Sequence, residues 1–265
     1  MTEYQGLASK LARTASQRLG TSFVSCYLIG STARGEERPG LSDIDVLIVT
    51  RGKKVIHQWD SPRPQSFSFL KGFEKEAERL ARDAMAPRPP LRLGYLITTI
   101  VGQESLRKEA DGMLYFELLK AKLLAGKDVR EGLRPPSWKT LNAELLENIG
   151  RWRDRMIVNL STLNLRKEPC RLASYAIMYS LPTAGAFIAI KRKRLVMSKK
   201  DIPVAFKSEF PTFDSASVLQ DALDEYLNWK TRDQDLGRLS SLWLRTFKFL
   251  LEVEHSLEDD GKKSV

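Results

Sequence analysis

The chain has 265 residues, of which 42% are apolar, so it can form one large or two modest hydrophobic cores. Lysine and arginine number 43 against 33 aspartate and glutamate residues, and the resulting formal charge of +10 favours an anionic partner such as nucleic acid or a nucleotide phosphate. No apolar run approaches the length of a membrane span and the N-terminus lacks the apolar stretch of a signal peptide, so we expect a cytoplasmic protein with no membrane partner. Cys26 and Cys170 are far apart in the sequence and are expected to be reduced.

A helix and two buried strands are predicted at the start of the chain. Apolar residues recur at helical spacing over residues 4–19, before Gly20. Residues 23–29 and 46–49 are almost wholly apolar, as in buried strands, and the second of these runs opens with the sequence Asp-Ile-Asp. Because side chains alternate along a strand, the two aspartates of that sequence are expected on one face and the isoleucine in the core.

The turn after the first strand and the two aspartates together predict a site for a metal-bound nucleoside triphosphate. Asp43 and Asp45 form a carboxylate pair, which suits Mg²⁺, an ion usually held by one or two carboxylates together with substrate phosphates. Gly30 lets the backbone approach a phosphate closely. Ser31 supplies a hydroxyl and can cap a short helix.

Gly-Ser followed after eleven residues by Asp-x-Asp closely resembles the signature of the DNA polymerase β type nucleotidyltransferase superfamily. The resemblance implies a Mg²⁺-dependent enzyme that moves a nucleoside monophosphate from an NTP, here expected to be ATP, to an acceptor hydroxyl with release of pyrophosphate. It implies that Asp43 and Asp45 are catalytic metal ligands and that Gly30 and Ser31 hold the β and γ phosphates.

Two further residues near the signature are nucleotide-binding candidates. In this superfamily a basic residue at the position of Arg34 can face the triphosphate, although a solvated loop arginine is an equally good interpretation. Ser42 precedes the first aspartate and either contacts the nucleotide or braces the start of the strand.

The third carboxylate that such enzymes commonly carry on a neighbouring strand is not evident. Residues 91–101 are predicted to form that strand and contain no acidic residue. Asp60, Glu104 and Glu117 are the alternatives, and the sequence does not choose among them. A catalytically weak or inactive nucleotide- or RNA-binding module on the same fold is therefore the second hypothesis.

The remaining pattern predicts an α+β protein, in which a small mixed-sheet nucleotidyltransferase domain (1–136) precedes a helical bundle domain (137–265). The boundary is placed at Pro135-Pro136, which cannot continue a helix, and Ser137 can cap the helix that follows. Residues 258–265 are expected to be frayed. Helices are predicted over residues 73–84, 106–124, 138–163, 170–190, 199–207 and 215–254, the last with a break near 231–237.

The acceptor is left open by the sequence. The cleft between the two domains is expected to take it, and a small molecule or a protein is favoured because no aromatic and basic stacking surface is evident. RNA stays possible because residues 191–194 with Lys199 and Lys200 form a basic cluster. With only His57 and His255 present, and no P-loop or GxGxxG sequence, histidine-pair metalloprotease, kinase-like and dinucleotide-binding functions lack support.

Overall fold

The computed structural model describes residues 1–38, 40–53, 55–56, 65–85, 95–110, 112–162, 169–229 and 235–263. The chain divides into two compact units, Met1–Leu141 and Asn142–Val265. The division falls in the first turn of the helix that begins at Trp138, a few residues after the expected boundary, which stays a prediction. Ser137 caps this helix as expected, since its Oγ accepts a hydrogen bond from the Thr140 N–H at 3.1 Å.

The first unit is a mixed sheet with helices on both faces. In the described part of the chain five strands form one sheet in the order β3-β4-β2-β1-β5. β1 pairs antiparallel with β2 and with β5, whereas β2 and β4 are parallel. The elements in chain order are α1 (Glu3–Leu19), β1 (Phe23–Ile29), α2 (Gly30–Ala33), β2 (Ile44–Thr50), β3 (Val55–Ile56), α3 (Leu70–Met85), β4 (Leu96–Gly102), α4 (Gln103–Glu109), α5 (Met113–Lys120) and β5 (Lys122–Gly126).

The two central strands are buried on both faces because alternate side chains enter two separate cores. On one face Cys26 and Leu28 of β1 pack with Ile44 and other residues of β2 against the apolar sides of α1 and α3. On the other face Tyr27 and Leu47 pack against α4 and α5. This double burial explains why the two strands are nearly continuous apolar runs in the sequence.

The prediction of a single helix over residues 106–124 is wrong. The structure has two short helices, α4 and α5, separated near Gly112, and then the strand β5. β5 pairs with β1, with Leu123 opposite Tyr27, so its backbone hydrogen bonds come from the sheet. The periodicity of a short apolar run does not distinguish a helix from a strand. Here the segment forms a strand because the edge of β1 is available for pairing. The two-residue strand β3 was not predicted, and residues 91–94 of the expected third strand lie outside the described part.

In residues 142–162, 169–229 and 235–263 the second unit contains helices and no strand, which together with the sheet confirms the α+β class. The α-helices in chain order are α6 (Trp138–Thr162), α7 (Pro169–Arg192), α8 (Ile202–Glu209), α9 (Ser217–Leu227) and α10 (Leu236–Lys263). The predicted break in the last helix separates α9 from α10, although residues 230–234 lie outside the described part. α10 extends to Lys263, so residues 258–263, for which fraying was expected, are helical in this structure.

Helix α7 is the central apolar element of this unit. By length and composition alone, its segment Leu172–Arg192 could cross a membrane. The expectation that no apolar segment approaches the length of a membrane span is therefore wrong. Of its apolar window, 78% is buried inside the protein, as in the core helix of a bundle. Five phenylalanine rings, with centroids 4.8 to 5.9 Å apart, join α7 to α8 and α10: Phe187, Phe206, Phe210, Phe213 and Phe249.

The buried thiol of Cys26 provides a test of the sheet core. Burial raises the pKa of Cys26 to about 12, so at pH 8 the group is a neutral and inaccessible thiol. We expect a Cys170→Ser variant, in which Cys26 is the single cysteine, to show no reaction with a disulfide reagent at pH 8 in the native state. Unfolding in guanidinium should release one reactive thiol. Rapid labelling of the native variant would contradict the buried position.

Candidate functional site

The turn at Gly30 connects the first of the two strands that carry the predicted motif to a carboxylate of the second. Gly30 follows the last residue of β1 and has φ +69°, a left-handed conformation that favours glycine. A Cβ added there would lie 2.3 Å from Oδ2 of Asp45. The Asp45 carboxylate therefore lies directly against the backbone of the Gly-Ser turn, and no larger residue fits at position 30 without moving it.

Sheet pairing and one side-chain bond align the carboxylate pair with this turn. Asp45 lies opposite Ile29 in the antiparallel pairing of β1 with β2. The Thr32 hydroxyl donates to the carbonyl oxygen of Asp43 at 2.9 Å, which ties α2 to the chain just before β2. Ile44 is fully buried whereas the two aspartates are half-buried, the alternation predicted from the sequence. Both aspartates thus lie at the end of the sheet where the Gly-Ser turn also lies.

Arg34 connects the turn to a helix that follows much later in the chain. Its Nε donates to Glu36 at 3.1 Å and its Nη1 donates to Oε2 of Glu117 at 2.9 Å. The same Glu117 oxygen accepts a hydrogen bond from the Gly30 N–H at 3.2 Å. Arg34 is therefore held in an ion-pair network at the site, and the interpretation of a solvated loop arginine does not describe it.

The three candidates for a third carboxylate are placed differently. Glu117 on α5 reaches the Gly30 turn through the contact just described. The first residues of β4 pair with the part of β2 that contains Asp45, whereas Glu104 follows the last residue of β4. The seven-residue strand therefore places Glu104 about 20 Å from the carboxylate pair. Its carboxylate pairs instead with Lys53 at 3.6 Å. Asp60 lies outside the described residues.

The donor set of Asp43 and Asp45 fits a hard divalent ion that is shared with a ligand. Carboxylate oxygens are the ligands that Mg²⁺ takes from proteins, and one or two are usual when substrate phosphates complete its shell. Within the described ranges no group of three or more acidic, histidine or cysteine side chains could hold a metal by itself. The residues therefore suit a metal that arrives with a phosphate, and an all-protein metal cage is absent from this part of the chain.

Ser42 braces the loop that carries the chain from α2 to β2. The Arg38 N–H donates to the Ser42 Oγ at 2.9 Å, and the Ser42 side chain is buried. The same loop is attached to the core by Gly40, whose N–H donates to the Tyr4 hydroxyl and whose carbonyl accepts from the Tyr95 hydroxyl. These contacts favour the bracing role for Ser42 over nucleotide contact.

Glu37, in the same loop, was not singled out by the sequence. It is 6% exposed, and neither of its carboxylate oxygens has a hydrogen-bond partner in the part of the chain that the structure describes. A buried, unpaired carboxylate costs free energy because it loses its water without gaining a partner. The burial of Glu37 could not be predicted from the sequence, because its neighbour Glu36 is also a glutamate and yet is paired with Arg34.

The basic cluster that left RNA possible as an acceptor partly forms contacts within the helical unit. Arg192 ends α7, and Arg194 follows it. Both arginines pair with Glu209 on α8, at 3.1 Å and 3.2 Å. Two of the six basic groups thus share one carboxylate and connect two helices.

Two lysines of the cluster also contact the same unit. Lys191 donates to the carbonyl oxygen of Ser256 at 2.9 Å. The Lys199 ammonium lies 4.5 Å from the centroid of the Tyr226 ring, a cation–π contact. Four of the six basic groups therefore have a structural partner, which weakens the case for a phosphate-binding surface here.

Comparison with known families bears on the first unit. Residues 9–102 match the model of the family described as nucleotidyltransferase domain. The matched segment ends with the last residue of β4, so it includes the Gly30 turn and both aspartates but not Glu117. No curated protein matches the chain.

Removing the charge of Glu37 should stabilise the protein. We expect Glu37→Gln to raise the free energy of unfolding by about 1 kcal/mol, because an amide is cheaper to bury than an unpaired carboxylate. That gain corresponds to about 2–4 °C in the melting temperature of a chain of this size. Glu36→Gln is the matched control, and it should not stabilise because Glu36 is paired. Thermal unfolding of both variants at pH 7 measures the difference, and a lower melting temperature for Glu37→Gln would show that the carboxylate has a stabilising partner.

Proposed function

We propose that the protein, whose residues 9–102 match the nucleotidyltransferase domain family and so belong to the DNA polymerase β type superfamily, is a Mg²⁺-dependent enzyme. It transfers a nucleoside monophosphate from an NTP, most simply ATP, to an acceptor hydroxyl. The observation that carries the proposal is the contact of Gly30 with Asp45. It puts a backbone suited to a phosphate against a carboxylate suited to the metal that accompanies the phosphate.

The phosphate side of the site consists of Gly30, Ser31 and Arg34. Gly30 has no side chain of its own, so a phosphate can approach its backbone closely, and its N–H, which donates to Glu117 in this structure, can donate to a phosphate oxygen instead. The Ser31 hydroxyl adds a second donor, and the Arg34 guanidinium offers charge-assisted hydrogen bonds. Together these groups would orient the β and γ phosphates as the leaving pyrophosphate.

The carboxylate side consists of Asp43 and Asp45, which would hold the ion. A bound Mg²⁺ supplies neutralisation of the charge that develops on the phosphate oxygens. The two aspartates contribute position, because β2 is buried on both faces and cannot shift without disturbing both cores. Transfer would then consist of attack by the acceptor oxygen on the α phosphorus, with loss of the acceptor's proton to solvent and departure of pyrophosphate toward Gly30 and Arg34.

For the acceptor we propose a small molecule or a protein in preference to RNA. The support is that Arg192 and Arg194 are paired with Glu209 and that Lys191 and Lys199 contact their own unit. An RNA surface needs basic groups that can exchange counterions for phosphates. Labelled NTP incubated with Mg²⁺ and cell extract would identify the acceptor by the class of molecule that gains label.

A nucleotide- or RNA-binding module without turnover is the second candidate. The absence of an acidic residue from β4 favours it, since nothing on that strand could take the proton of the acceptor hydroxyl. Transfer of label from an NTP that is labelled at its α phosphate separates the two candidates. Binding without transfer in any extract would favour the module.

The first test is the metal dependence of nucleotide binding. We expect Asp43→Asn combined with Asp45→Asn to weaken Mg·NTP binding by more than about tenfold, because two charged ligands of the ion are lost. The Mg²⁺ dependence of the remaining binding should also disappear. Calorimetry with and without Mg²⁺ measures both effects. Glu104→Gln, which removes a carboxylate at the other end of the sheet, is the control and should change neither; unchanged affinity in the double variant would refute the metal assignment.

The second test separates the Gly30 backbone from the Ser31 hydroxyl. Ser31→Ala should weaken NTP binding by about fivefold, the equivalent of one hydrogen bond worth about 1 kcal/mol. Gly30→Ala should abolish binding, because its Cβ would displace the Asp45 carboxylate.

Gly35 offers a matched control for the Gly30 substitution. Its φ of +70° imposes the same backbone strain on alanine, but nothing lies within 4 Å of the added Cβ. Gly35→Ala should therefore lower the melting temperature without loss of nucleotide affinity. Equal loss of affinity in the Gly30 and Gly35 variants would show that strain alone, and not the contact with Asp45, is responsible.

A further inference from the structure

We propose that Glu117 is an internal anion that occupies the phosphate-binding donors of the ligand-free site, and that the triphosphate must displace it. The inference rests on the proposed function, because it takes Gly30 and Arg34 as the groups that bind phosphate. It adds a competing residue that lies outside the matched nucleotidyltransferase segment.

A single oxygen makes both contacts. Oε2 of Glu117 accepts from the Gly30 N–H at 3.2 Å and from Arg34 Nη1 at 2.9 Å. A carboxylate oxygen and a phosphate oxygen offer the same chemistry to these donors, namely a negatively charged acceptor. Glu117 thus takes the position that an anionic ligand would take between the turn and the arginine.

Competition is strict at Gly30 and weaker at Arg34. The Gly30 N–H has one hydrogen, so it cannot donate well to Glu117 and to a phosphate at the same time. The guanidinium has five N–H donors, of which Nε faces Glu36. Arg34 can therefore contact phosphate and Glu117 together, whereas the Gly30 hydrogen bond must be exchanged.

The surroundings favour the exchange. The Glu117 side chain is 25% exposed, so it has a path into water when a ligand arrives. Asp45 also lies against Gly30, and Glu36 shares Arg34 with Glu117. Two carboxylates thus share one arginine, and the departure of Glu117 from the turn relieves the repulsion between them while Arg34 keeps Glu36 as a partner.

The contact gives the site a selectivity for polyphosphates. A ligand gains the Gly30 donor only if it brings an anionic oxygen that binds better than Glu117 does, so a nucleoside or an uncharged analogue gains nothing there. Return of Glu117 to Gly30 would also help pyrophosphate to leave after transfer, because the same hydrogen bond is recovered by the protein.

The experiment uses inorganic tripolyphosphate with Mg²⁺, which probes the anion position without a base or a transfer step. We expect Glu117→Gln and Glu117→Ala to bind tripolyphosphate about three- to tenfold more tightly than the original protein, because the internal competitor is gone. Glu36→Gln is the matched control, since it frees Arg34 from one carboxylate and leaves Gly30 occupied. Its affinity should change by less than that of either Glu117 variant.

A second readout follows the Gly30 amide by NMR in protein labelled with ¹⁵N-glycine. Its proton resonance should move upfield in Glu117→Ala, because the hydrogen bond to a carboxylate is lost. Saturation with tripolyphosphate should bring the variant and the original protein to the same shift.

The outcomes separate the inference from the function on which it rests. If the original protein binds Mg·NTP and the Glu117 variants bind tripolyphosphate equally or more weakly, Glu117 is only a brace for Arg34 and the displacement is refuted while the nucleotide site stands. If the original protein and the variants bind neither Mg·NTP nor tripolyphosphate, the nucleotide site is refuted and the displacement with it.

Discussion

The close approach of the Gly30 backbone to the Asp45 carboxylate is the constraint on which the rest of the site depends. It exists because β1 and β2 pair with Ile29 opposite Asp45, so the end of one strand meets the start of the other. That register is maintained by two hydrophobic cores, since a shift by one residue would turn every buried side chain of the strand to the wrong face. The geometry of the site is thus a consequence of how the sheet packs. The left-handed conformation of Gly30 accompanies the short distance between its backbone and the Asp45 carboxylate.

Much of this arrangement could be predicted from the sequence because it is local. The Gly-Ser turn, the Asp-x-Asp sequence and the apolar run 23–29 lie within a single stretch of chain, and their periodicity and turn chemistry act over a few residues. The family match to residues 9–102 confirms the nucleotidyltransferase interpretation of that stretch. The roles of Arg34 and Ser42 were left open by the sequence, since each depends on which side chain lies opposite.

The contacts that sequence analysis could not predict are those that depend on distant partners. Glu117 lies 87 residues from Gly30 along the chain, and no local pattern connects the two. The basic cluster at the end of α7 left RNA possible as an acceptor, because charge can be counted from the sequence whereas pairing with Glu209 cannot be. The strand β5 was taken for helix for the same reason, because its apolar residues suit either structure and only the free edge of β1 distinguishes them.

The position of β5 has a consequence for biosynthesis. Tyr27 of β1 donates its hydroxyl to Asp128, just after β5, and these two residues are 101 positions apart. During translation the β1 edge therefore emerges long before the segment that covers it. Until then its backbone groups are open to pairing with another nascent chain, and a fragment that stopped at residue 102 would keep this exposure permanently. The smallest piece able to fold by itself should accordingly extend past the matched family segment, to the end of β5 and the Asp128 contact.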